Sequence, residues 1–296
     1  MTLACGLLMW LLAFTTQASD TPLLAYIARV RDTTGDHIID VDDAGVAFLA
    51  RPGTGETLPL TDPSIDAMAL AWSPDGRRLA FHAYYADTNG DRAVMRADNA
   101  SIFVLDLDCP AALVDCTVSL ARLTDLGAND RFPTWSPDGE RIAFAVNEGE
   151  HAAIEVIDAH CATSDAGCAA TRRALVRGDG LFLDPRWSPD GRHVAFLALA
   201  DTNADGVLSR LEDYAAIRLV AVSTGALREL APADSPKSGL AWSPDGAWLA
   251  YTAVTDTDGD GFIDYLYDRA RVLVISADAP IAPIAVTGPD DHAADP

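Results

Sequence analysis

Four stretches gather oxygen donors at matched spacing: DTTGDHIIDVDD at 32–43, DTNGDRAVMRAD at 87–98, DTNADGVLSRLE at 201–212 and DTDGDGFIDYLY at 256–267. Positions 1, 3 and 5 hold Asp32, Thr34 and Asp36 in the first, and Asp87, Asn89 and Asp91 in the second. They hold Asp201, Asn203 and Asp205 in the third, and Asp256, Asp258 and Asp260 in the fourth. Position 9 adds Asp40, Ser209 and Asp264, and position 12 adds Asp43, Asp98 and Glu212. Calcium collects about six to eight oxygens from such a loop, one of them a main-chain carbonyl at position 7. That carbonyl would come from Ile38, Val207 or Phe262. Gly206 and Gly261 suit the sharp turn at position 6, whereas the second loop has Arg92 there and Met95 at position 9. The spacing predicts calcium, and magnesium, usually held by fewer protein ligands, fits less well. The plainer reading is a set of acidic, solvated hairpin tips, since Asp and Asn are common turn residues. Four such loops in register favour the cation.

The register comes from a repeat. WSPDG occurs at Trp72–Gly76, Trp135–Gly139, Trp187–Gly191 and Trp242–Gly246. Pro presets φ, Asp bonds back to the main chain and Gly accepts positive φ, so each WSPDG predicts a tight turn. Alternating apolar residues follow it, as in Leu79, Phe81 and Ala83, which is a strand pattern. Each unit continues with an acidic loop, a third strand and a fourth: 101–107 and 119–124, 152–159 and 172–177, 216–223 and 226–231, and 271–277 and 283–287. Tandem units of four antiparallel strands predict an all-β chain of β-propeller blades. The boundaries fall near 19–62, 63–125, 126–178, 179–232 and 233–288. The first unit has second, third and fourth strands but no WSPDG, giving four full blades and one partial. That count predicts a five-bladed ring or a truncated six-bladed one, with truncation slightly favoured.

The units LAWSPDGRRLAFHAYY, PTWSPDGERIAFAVNE, PRWSPDGRHVAFLALA and LAWSPDGAWLAYTAVT closely resemble the WD40-like repeats of TolB-type β-propellers. The resemblance covers nearly the whole of 19–296 and implies the fold; it says little of function. The loop at 201–212 resembles an EF-hand loop, but strand patterns flank it where helices would be needed. The better likeness is to the calcium hairpins of integrin-type propellers, which the loop at 256–264 matches throughout. Propeller topology would place these loops on one face and the WSPDG turns on the other.

Cys109 and Cys116, and Cys161 and Cys168, bracket the third-to-fourth strand turn in two successive blades. Four cysteines allow three pairings, and this placement favours 109–116 and 161–168. Such bridges suit an oxidising compartment. Residues 1–18 read as a secretory signal: an apolar run at 3–14, then Thr16 and Ala18 at the −3 and −1 positions of a cleavage site. LACG at 3–6 looks like a lipobox, but its apolar run follows the cysteine. A periplasmic or secreted protein is therefore expected, with a lipoprotein the lesser alternative. The net charge of −23 argues against nucleic acid and against an anionic membrane surface.

No G-x-S-x-G elbow occurs in the chain, and its six histidines do not recur at one blade position. The expectation is a non-catalytic, exported, calcium-binding scaffold for a protein or cell-envelope component. The alternatives are a propeller hydrolase or lyase, or the propeller fragment of a larger prolyl-oligopeptidase-type enzyme.

Overall fold

The computed structural model describes residues 22–40, 43–92, 94, 96–110, 112–161, 166–209, 213–255, 269–279 and 281–288. The segment read as a signal lies outside them. The chain divides into two compact units, one of residues 1–135 and 161–169, the other of 136–160 and 170–296.

The first unit contains β1 (Leu24–Ala28), β2 (Val46–Arg51), β3 (Glu56–Pro59), β4 (Asp66–Trp72), β5 (Arg78–Tyr84), β6 (Ser101–Asp108), β7 (Thr117–Arg122) and β8 (Asn129–Trp135). The second contains β9 (Arg141–Glu148), β10 (His151–Asp158), β11 (Arg173–Asp179), β12 (Leu181–Trp187), β13 (His193–Leu199), β14 (Ala215–Ala221), β15 (Leu227–Ala231), β16 (Lys237–Trp242), β17 (Trp248–Thr255), β18 (Arg269–Ser276) and β19 (Ile284–Ala285). Each sheet is an antiparallel meander; four have four strands, and the first has three among the described residues. The second strand of three of the sheets carries a fully buried core signature: Leu-Ala-Phe in β5, Ile-Ala-Phe in β9 and Val-Ala-Phe in β13. In the first unit Leu49, Ala67, Leu79, Phe81 and Leu105 join one apolar cluster spanning two sheets.

WSPDG is the predicted hairpin turn. At the first copy Ser73 N donates to Arg78 O (2.9 Å) and Gly76 N to Ser73 O (2.9 Å). The Ser73 hydroxyl donates to Asp75 Oδ1, and Arg77 N donates to the same oxygen at 3.1 Å. The same bonds recur around Ser136, Ser188 and Ser243. Gly76, Gly139, Gly191 and Gly246 take φ between 68° and 74°, which a Cβ would oppose.

Two of the four tryptophans ahead of the turns bond through the indole to the strand carrying the preceding WSPDG, whereas the buried Nε1 atoms of Trp72 and Trp187 have no hydrogen-bond partner among the described residues. In the first unit Trp135 Nε1 donates to Ala71 O at 2.9 Å, and the Arg78 guanidinium lies 4.5 Å above its ring. In the second unit Trp242 Nε1 donates to Arg186 O at 3.1 Å, and Arg141 lies 5.0 Å above the Trp187 ring. A further recurrence sits three residues before each tryptophan. Ala69, Phe132, Asp184 and Gly239 all have φ between 51° and 64°. In β4, β12 and β16 this residue falls where the ladder to the next strand shifts register. A bulge there bends the strand and redirects its side chains. Three of the four positions hold a residue with a Cβ, a strain of about 1–3 kcal/mol each that the surrounding sheet must hold.

Candidate functional site

The three acidic loops among the described residues, beginning at Asp32, Asp87 and Asp201, have a common conformation. In the first, Asp32 Oδ1 accepts from Gly35 N (2.5 Å) and Oδ2 from His37 N (2.9 Å). In the second, Asp87 accepts from Gly90 N (2.6 Å) and Arg92 N (2.9 Å). In the third, Asp201 Oδ2 accepts from Gly206 N at 2.9 Å. Positions 4 and 6 are left-handed in all three: Gly35 and His37, Gly90 and Arg92, Ala204 and Gly206. Arg92, at φ 73°, thus takes the backbone conformation of Gly206, so the absence of glycine there does not change the loop's course.

Positions 3 and 5 are drawn together. Asn89 Nδ2 lies 3.1 Å from Asp91 Oδ2, and Asn203 Nδ2 lies 3.2 Å from Asp205 Oδ2. Asp36 Oδ1 accepts from Ile38 N (2.8 Å) and Asp205 Oδ1 from Val207 N (2.7 Å), folding position 7 back over position 5. Among the described residues no group of three or more His, Cys, Asp or Glu side chains forms a metal-holding cluster. The first, third and fifth positions nonetheless offer the hard oxygens calcium takes, with Thr or Asn as the third. The loop of Asp256, Asp258, Asp260, Phe262 and Asp264, and also Glu212, lie outside the described residues.

The base of each of these three loops is closed by a buried aspartate. Asp43 is fully buried; its Oδ1 accepts from Thr33 N (2.6 Å), Thr33 Oγ1 (3.0 Å) and Thr34 N (3.1 Å), and its Oδ2 from Asp40 N (3.0 Å). Asp98, also fully buried, accepts from Thr88 N (2.7 Å), Thr88 Oγ1 (3.0 Å) and Asn89 N (3.2 Å). In the third loop this part is played by Asp213, which accepts from Thr202 N (2.7 Å), Thr202 Oγ1 (3.2 Å) and Ser209 N (2.9 Å). Each threonine hydroxyl also accepts the N–H of the residue after its aspartate: Ala44, Asn99 and Tyr214. The residues that position 12 implicated in the first two loops are therefore loop closers, whatever else they bind. The third closer lies one residue later, at Asp213, which the spacing rule passes over in favour of Glu212. The signal for it is the threonine at position 2 of every loop, paired with an aspartate just ahead of the third strand.

Main-chain N–H donors from Thr33 and Asp40 hold the Asp43 carboxyl down at about 2, although burial works against them. Burial is the largest influence on Asp213 and pushes its pKa up; the combined donors from Ser209, Thr202 and Asn203 outweigh it and leave the pKa lowered. Both loop bases are thus stable as anions.

On the opposite hairpins Cys109 is bonded to Cys116 and Cys161 to Cys168, as predicted. The first bridge spans a 3-10 turn at Leu113–Asp115, and the second runs into α1 (Ala166–Thr171). Two bridges of this kind suit an oxidising compartment. Among the described residues no helix is long and apolar enough to cross a membrane.

Repeated meanders, tryptophan junctions and WSPDG turns define the fold as a TolB-like β-propeller. No family model matches the chain. It is 29% identical over 206 residues to the uncharacterized peptidase YuxL of Bacillus subtilis (strain 168), which covers 69% of this chain and 24% of that protein. Among solved structures it resembles TolB from Acinetobacter baumannii, with a TM-score of 0.52 and 20% identity, over 86% of this chain and 49% of that one. It also resembles a puromycin-hydrolysing peptidase of Mycobacterium tuberculosis, with a TM-score of 0.53 and 14% identity, over 96% of this chain and 46% of that one. The structural likenesses show the fold. The likeness to YuxL overturns the expectation that the chain belongs to no enzyme. That expectation rested on a missing nucleophile motif, and the chain spans only 24% of the peptidase it matches.

Proposed function

We propose that the chain is the propeller of a prolyl-oligopeptidase-type peptidase, receiving peptide substrate while a hydrolase domain supplies the nucleophile. The observation that carries this reading is the alignment of 206 residues with a protein named as a peptidase. The blade sequences that suggested the propeller occur in such enzymes, and this chain's own residues would bind and orient substrate. The test uses the complete gene product, including whatever the reading frame encodes beyond Pro296. A fluorophosphonate probe should label a serine outside residues 1–296, and labelling should abolish cleavage of acetylated peptide nitroanilides. A complete product that is neither labelled nor active on any such peptide would sink the reading.

Calcium has a place in this proposal as a brace. Asp32, Thr34 and Asp36, Asp87, Asn89 and Asp91, and Asp201, Asn203 and Asp205 would hold it, with Ser209 contributing in the third loop. The ion would fix the exposed tips of the loops and offset part of the −23 charge. A cation bound only by the folded loops raises stability by mass action. Added calcium should raise the melting temperature by several degrees and excess chelator should reverse it, with Asp201→Ala removing part of the response. An unchanged melting temperature in millimolar calcium would exclude the brace. Export through the N-terminal segment is proposed alongside it, and the N-terminal residue of the mature protein tests it directly.

A further inference from the structure

Of the five asparagines in the chain, Asn89 alone precedes a glycine. Both residues are exposed, at positions 3 and 4 of the second acidic loop. The side-chain amide of an asparagine can be attacked by the main-chain nitrogen of the next residue, closing a five-membered imide. A glycine there leaves that nitrogen uncrowded and the chain free to turn. The contacts around Asn89 fit the reaction at each of its three centres. Gly90 N, the nucleophile, donates to Asp87 Oδ1 at 2.6 Å, so a carboxylate is placed to take its proton. Asn89 Oδ1 accepts from Asp91 N at 2.9 Å, a donor sited where negative charge develops on the carbonyl oxygen. Asn89 Nδ2, the leaving nitrogen, donates to Asp91 Oδ2 at 3.1 Å.

The third loop provides an internal comparison. Asn203 Oδ1 accepts from Asp205 N at 3.0 Å and Asn203 Nδ2 donates to Asp205 Oδ2 at 3.2 Å, the same side-chain geometry. The next residue there is Ala204, whose Cβ flanks the nitrogen that would attack. Ala204 takes φ 61° where Gly90 takes 84°. A Cβ on Gly90 would meet no atom within 4 Å among the described residues, so the loop accommodates alanine at this position.

We propose that Asn89 deamidates spontaneously, assisted by Asp87 and Asp91, and that the second loop thereby gains a carboxylate at position 3. The Gly90 N–Asn89 Cγ bond forms, the Cγ–Nδ2 bond breaks, and the proton from Gly90 N departs with Nδ2 as ammonia. Water then opens the imide at either carbonyl, leaving an aspartate or an isoaspartate. With aspartate, DTNGD at 87–91 takes the residue types of DTDGD at 256–260. The covalent step stands on the contacts around Asn89. Its effect on a cation rests on the calcium reading, since ligand charge tunes the affinity of calcium loops.

The test holds the 296-residue chain in calcium-free, mildly alkaline buffer and follows tryptic peptides 79–92 and 193–210 by mass. The first peptide should shift by the difference between an amide and an acid, at least roughly tenfold faster than the second. Gly90→Ala should bring the rate down to that of Asn203, and Asp87→Asn should slow it severalfold. No shift in peptide 79–92, equal rates at the two asparagines, or a rate that Asp87→Asn leaves unchanged overturns the proposal. Asn89→Asp supplies the carboxylate directly and should bind calcium roughly tenfold more tightly in the second loop, read by calorimetry. Conversion without that gain would refute the added ligand and leave the modification standing. No calcium binding by either chain would refute the calcium reading and likewise leave the modification standing.

Discussion

Asp213→Ala should destabilise the chain by roughly 2–4 kcal/mol, because the amides of Thr202 and Ser209 and the Thr202 hydroxyl lose a buried anionic acceptor together. Asp213 is only 1% exposed, so water cannot replace it without opening the loop. The loss should appear as a lower urea midpoint and as protease cleavage between residues 201 and 209. Asp213→Asn keeps one acceptor oxygen and should recover part of the loss. Asp201→Ala, at an exposed loop position, should cost far less in calcium-free buffer. Equal sensitivity of the two positions would mean that the loop base is not the anchor described above.

Acid should destabilise the fold in two stages. His82 is 1% exposed, and burial first, then the charges of Arg131 and Arg96, push its pKa from 6.5 down to about 3. The unfolded chain takes up this proton near its ordinary pKa and the folded chain does not. The unfolded state therefore binds more protons throughout that window, and stability falls as pH drops from 6.5 towards 3. The total for a shift of this size is on the order of a few kcal/mol. Asp43 acts lower. Its folded pKa of about 2 lies below its ordinary 3.8, so its contribution is complete above 3.8 and disappears as pH falls towards 2. Asp213 is shifted in the same direction. Thermal melts between pH 7 and 4 should slope downwards, and His82→Gln should flatten that slope. A slope unaffected by His82→Gln would show that the imidazole is not held neutral in the folded state.

The architecture was legible because its signals are short and repeat in register. WSPDG marked each inner hairpin, the apolar alternation after it marked the second strand, and the cysteines marked two outer hairpins. The loop conformation was half legible. Spacing found Asp32, Asp87 and Asp201, but a fixed count of twelve assumes equal loop lengths. The third loop is one residue longer before its buried anchor, so the count landed on Glu212 while the fold uses Asp213. Nor could composition reveal the left-handed position ahead of each tryptophan. Ala69, Phe132 and Asp184 share no chemistry, and only Gly239 carries a local hint. The non-enzyme expectation failed for another reason. An absent nucleophile motif describes these residues alone, and they align with only 24% of the peptidase they match.

The tryptophan junction also bears on how such a chain can change length. Trp135 reaches the residue just before Trp72, and Trp242 reaches the residue just before Trp187, so donor and acceptor sit at fixed places in successive copies. A duplicated unit that carried the Trp135 or the Trp242 junction would bring both halves of that bond with it, and Trp72 shows that a copy also tolerates an indole Nε1 without a partner. The same holds for a clean deletion. Mutations that add or remove whole copies are thus screened less severely than a single-residue insertion within one. Copy number can drift because no copy depends on that bond alone.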